Sequence, residues 1–298
     1  MARGRPPFIH MAKGQVLRFF ELSKKRVFTG DELATILQDN RDVWRLPQRM
    51  TGGKFIDFLR ENGALREVRF SLQDASPDEK PIFVRYAWGE SSPLHLALSL
   101  RKHSFLCHSS AAFVLGLSDI VPRRIFVNFE QTPKPSDRGS LSQKGIDAAF
   151  RRPQRQSSQI FQFEDHSVMI LNGKHSGRFE VGEVKWLDEI LISSKLERTL
   201  IDLTVRPVYG GGVPQVLEAF RRARETASTM KILAVLKRLD YVYPYHQSVG
   251  FYMERAGFKP TQYERLKEPG LEFDFYLSYD MRETEYNSDW RVFFPKGL

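Results

Sequence analysis

Two hydrophobic periodicities divide the first 90 residues, and this pattern constrains the fold more than any other feature of the sequence. Apolar side chains recur at helical spacing in three short stretches, residues 16–20, 33–37 and 55–59. Two strand-like runs follow, residues 65–72 and 82–88, and they are rich in β-branched and aromatic residues. The pattern therefore predicts three short helices followed by a β-ribbon.

Capping residues set the ends of these predicted helices. Thr29 and Glu32 stand three apart as a capping box, and Thr51 is placed to cap the third helix, which Gly63 ends. Ser92-Pro93 then combines a linker with a helix start. We predict an α+β protein, with a winged helix-turn-helix domain over residues 1–90 and a larger mixed α/β domain over residues 91–298.

Local signals in the second part predict further elements. Asn172-Gly173 is typical of a turn that closes a β-hairpin. Ser194 and Glu197 form a second capping-box pattern, and it opens a helix in which Arg198 and Asp202 stand four apart and can pair.

Composition excludes several classes of protein. A hydrophobic fraction of 41% with 23 phenylalanines is typical of a globular chain and excludes wholesale disorder. The single cysteine, Cys107, excludes an intramolecular disulfide and a multi-cysteine zinc site. No apolar run exceeds about seven residues, far short of a membrane span, and the basic start lacks the apolar segment of a signal peptide. We expect a cytoplasmic protein without a metal or cofactor.

The positive charge is concentrated at the start of the chain. The net charge is +9, and residues 1–70 carry 14 basic against 8 acidic side chains. A basic surface on a winged helix predicts binding to double-stranded DNA. The candidate residues lie in an N-terminal arm, around the third helix and on the first strand of the ribbon: Arg3, Arg5, Arg45, Arg49, Thr51, Lys54, Arg60, Arg66 and Arg69. Asp57 and Glu61 oppose this interpretation, and a basic face used for protein contacts is the alternative.

Enzymatic patterns are weaker. No phosphate-binding loop of the Gly-x4-Gly-Lys-Ser/Thr form occurs. Glu183-Val184-Lys185, downstream of Asp165, matches half of a metal-dependent nuclease site, but such short patterns arise by chance in any charged chain. We therefore expect a protein that is not an enzyme, with a nuclease as the alternative.

Several strings in the second part resemble the AbiEi family of antitoxins from bacterial abortive-infection systems. The most distinctive is Glu197-Arg198-Thr199-Leu200-Ile201-Asp202. The others include Arg152-Pro153-Gln154-Arg155, Leu171-Asn172-Gly173-Lys174, Val205-Arg206-Pro207 and Tyr243-Pro244-Tyr245-His246-Gln247. The resemblance extends over roughly residues 10–298, including the N-terminal winged helix.

The resemblance implies two activities. The winged helix would bind operator repeats in its own promoter and repress the operon, with two copies on the DNA. The second domain would counter a nucleotidyltransferase-type toxin without a stable complex, as part of phage defence. The motif residues carried by the resemblance are Glu197, Arg198, Asp202, Tyr245 and His246. A toxin-independent regulator or defence component, whose second domain senses a ligand or a protein, is a further alternative.

Overall fold

The structure is a computed structural model that describes residues 8–73, 82–133 and 141–298. It mixes helices with β-sheet, which confirms the predicted α+β class. The chain divides into two units. The first comprises the described residues up to Lys102 together with Phe161–His166, and the second comprises the described parts of His103–Ile160 and Ser167–Leu298. The domain boundary predicted near residue 90 stays a prediction.

The elements are numbered in chain order. The helices are α1 (Phe8–Leu22), α2 (Gly30–Asn40), α3 (Gly52–Asn62), α4 (Pro93–Leu98), α5 (His108–Val114), α6 (Gln143–Phe150), α7 (Leu196–Val205), α8 (Val213–Ala223), α9 (Thr229–Leu239), α10 (Tyr245–Arg255) and α11 (Pro260–Tyr263). The strands are β1 (Val27–Phe28), β2 (Leu65–Leu72), β3 (Ile82–Trp88), β4 (Phe105–Leu106), β5 (Arg124–Glu130), β6 (Ile160–Phe163), β7 (His166–Gly173), β8 (Val181–Trp186), β9 (Glu189–Ser194), β10 (Phe275–Tyr276), β11 (Thr284–Asn287) and β12 (Val292–Pro295).

Helices α1–α3 of the first unit pack around an aromatic core. The Phe20 ring stacks on Trp88 of β3 with centroids 5.0 Å apart, and Trp44 stacks on Phe55 of α3 at 5.8 Å. The predicted capping box at Thr29 forms, since its hydroxyl accepts from the Glu32 backbone N–H and the Glu32 carboxylate accepts from the Thr29 N–H. These contacts bury the apolar face of each helix and leave the polar faces exposed.

The sheet of the first unit has the strand order β1–β3–β2–β6. Strands β2 and β3 form the predicted antiparallel ribbon, in register from Leu65 opposite Trp88 to Ser71 opposite Ile82. The end of β2 then pairs with β6, and the Phe70 and Phe163 rings lie 4.6 Å apart. Residues distant in sequence therefore complete this unit.

The sheet of the second unit has the strand order β7–β5–β4–β9–β8. Strands β5 and β7 run parallel, from Arg124 opposite Ser167 to Glu130 opposite Gly173, and both are largely buried. Their carboxyl ends therefore meet at one edge. In α/β sheets this edge is where ligand sites usually form.

Helices α7, α8, α9 and α10 share the main hydrophobic core of the second unit with the small sheet β10–β12–β11. The fully buried Trp290 indole packs against Gly250 of α10 and donates to the Glu254 carboxylate at 2.8 Å. Within the described part of the chain, no helix is both long enough and apolar enough to cross a bilayer.

Two local predictions are wrong. Asn172-Gly173 does not turn; it continues β7 beside β5, and glycine is needed there because a Cβ would lie 2.6 Å from the Asn128 amide. The Ser194 capping box does not form either, because Lys195 is the N-cap of α7 and the Ser194 hydroxyl contacts the Thr199 hydroxyl instead. In the first case a tertiary contact replaces the predicted turn, and in the second a hydroxyl five residues along the chain takes the place of the capping contact.

Candidate functional site

A basic surface surrounds the start of α3 in the first unit. Arg45, Arg49, Thr51 and Lys54 are exposed in the loop before α3 and in its first turn. The Thr51 hydroxyl caps the helix by accepting from the Lys54 backbone N–H. None of the three cations makes an ion pair with a carboxylate of the described residues, which leaves their charge available to an anionic partner.

A buried arginine holds the loop that carries this surface. The Arg41 guanidinium is only 8% exposed and donates to the carbonyl oxygens of Pro47 at 2.6 Å and Met50 at 3.0 Å. It also donates to the Gln38 side chain of α2. Sequence reasoning missed Arg41, because no spacing rule distinguishes a buried arginine from an exposed one.

The remaining predicted cations of this unit are ion-paired. Arg60 and Arg69 both contact the Glu67 carboxylate, at 3.3 and 2.6 Å, and Arg66 pairs with Glu164. All three arginines are exposed, so these pairs contribute little to stability. Their main effect is to reduce the positive charge of the ribbon. Arg3 and Arg5 lie outside the described residues.

The far half of α3 is acidic. A groove of about 630 Å³ between α3 and β2 is lined by Asp57, Arg60, Glu61, Leu65, Arg66 and Glu67. The groove carries three carboxylates against two guanidinium groups, a surface that repels phosphate. The basic surface is therefore confined to the amino-terminal end of α3 and the loop before it.

A cleft of about 810 Å³ lies at the carboxyl ends of β5 and β7 in the second unit. Its lining comes from the ends of these strands, from α7, and from two segments that cross nearby, residues 155–157 and 239–242. We call its buried lining side chains the floor and its exposed and half-buried lining side chains the rim.

Arg198 organises the floor of the cleft. Its guanidinium, nearly fully buried, pairs with Glu130 at 3.2 Å and donates to the Ser176 hydroxyl and to the Phe179 carbonyl. It also lies over the Phe105 ring, 5.2 Å from the centroid. Burial opposes the charge of Glu130, but the Ser176 hydroxyl, the backbone N–H groups of Ser176 and Arg178, and the nearby Arg198 lower its pKa on balance.

Asp202 lies one turn further along α7 and is less well satisfied. Its Oδ2 atom is 3.7 Å from the Arg198 Nε, close enough for an ion pair but too far for a hydrogen bond, and it has no hydrogen-bond partner in the described residues. Burial raises the pKa of the Asp202 carboxyl to about 6, against the lowering effect of Arg198. A buried carboxylate of this kind marks a candidate site.

A second unsatisfied group, His108, also lines the floor. The imidazole is 8% exposed, and its Nδ1 has no partner among the described residues. Burial, together with Arg206 and Arg198, lowers its pKa to about 3, so the ring is neutral at physiological pH. It packs edge-on against the Tyr209 ring at 5.3 Å.

The other motif residues have structural surroundings. Glu197 is buried and accepts from the Ser228 backbone N–H, which ties α7 to the start of α9. Tyr245 is buried in an aromatic cluster beside Phe275. The His246 ring contacts the Gly270 carbonyl at 2.7 Å, and burial lowers its pKa. Of the five motif residues, the structure brings only Arg198 and Asp202 to the cleft.

Glu183 and Lys185, the two halves of the nuclease-like pattern, are exposed on β8. In the described ranges, no group of three or more histidine, cysteine or carboxylate side chains is arranged to hold a metal ion. The pattern therefore fits an exposed strand with alternating charge.

Comparison with known proteins gives a fold and no family. No protein-family model matches the chain, and no curated protein matches it. The chain is similar to the crystal structure of the RV2827C protein from Mycobacterium tuberculosis, with a TM-score of 0.56 and 15% sequence identity over 97% of this chain and 92% of that one. At this identity the likeness concerns the fold alone, and the resemblance to AbiEi antitoxins stays a prediction.

Proposed function

We propose that this protein is a DNA-binding transcriptional autorepressor that also acts as an antitoxin against a nucleotidyltransferase-type toxin. The single observation that supports DNA binding best is the exposed cationic surface formed by Arg45, Arg49 and Lys54 at the start of α3, none of which pairs with a carboxylate of the described residues. In helix-turn-helix proteins, the first residues of the recognition helix contact base edges in the major groove.

The order of elements in the first unit suits this role. Three helices followed by an antiparallel ribbon is the arrangement of a winged helix, in which the third helix enters the major groove. Arg49 and Lys54 would contact phosphates or guanine, and Thr51 would contact a base edge or a phosphate. The ion-paired Arg60 and Arg69 would then contribute less than the sequence alone suggests.

The antitoxin role is supported by the family resemblance of the second part alone. The string from Glu197 to Asp202 folds into α7, which contributes both to the core and to the lining of the cleft. The fold likeness adds no function, because the matched structure is described only as a protein of its organism.

Fluorescence anisotropy with a fragment of the protein's own promoter tests DNA binding. We expect the promoter to bind more tightly than a scrambled duplex, and Arg49→Ala or Lys54→Ala to weaken binding about tenfold, since a good contact contributes roughly 1–3 kcal/mol. Lys237→Ala, an exposed cation on α9, is the matched control and should bind like wild type. Equal affinity for both duplexes, or equal affinity of all variants, would contradict the proposal.

Co-expression of the full chain with an adjacent nucleotidyltransferase gene tests the antitoxin role. Growth should recover when the chain is present, and it should also recover with Arg49→Ala, because that change leaves the second unit intact. A toxin that stays lethal with the chain present would remove the antitoxin role while leaving the repressor role standing.

A further inference from the structure

We propose that the cleft of the second unit is a binding site for a nucleoside 5′-phosphate, with the phosphate at the rim and the base or ribose on the floor. The inference is independent of the DNA-binding proposal, because every residue that lines the cleft belongs to the second unit.

The rim has the charge that a phosphate requires. The cleft lining carries four permanent cations, Arg155, Lys174, Arg198 and Arg206, against the two carboxylates Asp202 and Asp240. Arg198 is already ion-paired with the Glu130 carboxylate. Arg155 is exposed, Arg206 is half-buried, and neither pairs with a carboxylate of the described residues. Arg206 donates to the Arg155 backbone carbonyl at 2.6 Å, which holds the Arg206 guanidinium against the segment that carries Arg155.

The floor carries a carboxylate that can accept a hydrogen bond from the ribose or the base of a nucleotide. The Asp202 side chain is only 8% exposed, and its Oδ2 has no hydrogen-bond partner in the part of the chain that the structure describes. A buried carboxylate oxygen without a hydrogen-bond partner destabilises the folded protein, and a ligand N–H or O–H would satisfy it. Ribose hydroxyls and the N–H groups of a purine are such donors, whereas inorganic phosphate at neutral pH offers few.

Two aromatic side chains contribute to the lining of the cleft. Tyr209 and Tyr241 both line the cleft, and the Arg206 guanidinium lies 5.9 Å from the Tyr209 ring centroid. The volume of about 810 Å³ falls within the range of sites for small organic ligands and is far larger than a phosphate ion needs. A flat base against a tyrosine ring would use this space.

Isothermal titration of the full chain with ATP, GTP and pyrophosphate tests the site. We expect at least one of the two nucleotides to bind at least tenfold more tightly than pyrophosphate. Arg206→Ala should weaken binding of nucleotide and pyrophosphate alike. Asp202→Asn should weaken nucleotide binding about tenfold and leave pyrophosphate unchanged, because it changes only the floor.

Arg152→Ala is the matched control, since Arg152 is an exposed cation near Arg155 that does not line the cleft, and it should bind nucleotide like wild type. A melting curve for each variant establishes that it is folded. The proposal is overturned if neither nucleotide binds, if pyrophosphate binds as tightly as both nucleotides, or if the folded Asp202→Asn variant binds nucleotide like wild type. None of these outcomes affects the promoter-binding test.

Discussion

At the scale of single residues, Asp202 has an electrostatic environment that favours its neutral form. Burial raises its pKa, the Arg198 guanidinium opposes the shift, and the nearby Glu130 carboxylate adds to it. The charge of Asp202 also contributes to the raised pKa values of Cys107 and Tyr241, where burial is the larger cause. Several titratable groups therefore share one buried region, and the charge of Asp202 affects the stability of the protein.

The replacement Asp202→Asn should stabilise the protein in a pH-dependent way. A carboxyl whose pKa rises from 3.8 to about 6 on folding weakens the folded state as pH rises through that interval. Removing the charge should add about 1 kcal/mol near pH 4.5 and about 3 kcal/mol at pH 8, at roughly 1.4 kcal/mol per pKa unit. Thermal melts at both pH values measure this gain.

The matched control for this change is Asp119→Asn. Asp119 is exposed, and a hydrogen bond from Arg222 lowers its pKa, so the variant should gain nothing as pH rises. A gain for Asp202→Asn that is the same at pH 4.5 and pH 8 would show that burial of the charge is not its cause.

At the scale of elements, one carboxylate on the ribbon partly neutralises two arginines, one on α3 and one on the ribbon itself. Glu67 on β2 contacts both Arg60 of α3 and Arg69 of its own strand. Glu67→Gln should release both arginines and tighten promoter binding, on the order of threefold to tenfold, because each free cation neutralises a phosphate more fully. Anisotropy at fixed salt measures the change.

Glu225→Gln gives the matched comparison for Glu67. The Glu225 carboxylate also pairs with an exposed arginine, Arg224 at 2.8 Å, but in the second unit. That variant should leave promoter affinity unchanged. If Glu67→Gln leaves promoter affinity unchanged, the ribbon does not lie near the phosphates, and weaker binding would contradict the charge argument outright.

Helix α10 packs closely against the Trp290 ring at Gly250. A Cβ on Gly250 would lie 2.1 Å from the Trp290 ring, and the ring is fully buried. Gly250→Ala should therefore destabilise the protein by about 2–3 kcal/mol through overpacking. Urea denaturation measures the loss.

Gly14→Ala is the control for Gly250, because it makes the same change in a helix interior where a Cβ would meet nothing within 4 Å. It should stabilise the protein by about 0.5–1 kcal/mol, the helix-propensity difference. Equal effects of the two variants would mean that the indole moves aside.

At the scale of the whole molecule, the sequence predicts what local chemistry controls. The capping box at Thr29, the Thr51 cap and the β2–β3 ribbon follow from spacing alone, and each is present. The pairing of β2 with β6 depends on residues about 90 positions apart, which no local pattern indicates.

The candidate sites divide in the same way. The sequence predicts the exposed cations at the start of α3, because basic residues are visible immediately before and within the first turn of a predicted helix. The sequence does not predict the cleft, because the residues that line it are spread along the chain from His108 to Val242. The spacing of Arg198 and Asp202 predicts an ion pair within one helix, and only the fold places both side chains on the floor of a cleft.

The salt dependence of promoter binding tests the central claim most directly. Each neutralised phosphate contributes about −0.9 to the slope of log affinity against log salt, so Arg45, Arg49 and Lys54 together predict a slope of about −3 or steeper. The double variant Arg49→Ala/Lys54→Ala should reduce the slope by about 2. A flat response, or one slope shared by wild type and the double variant, would contradict DNA binding through the start of α3.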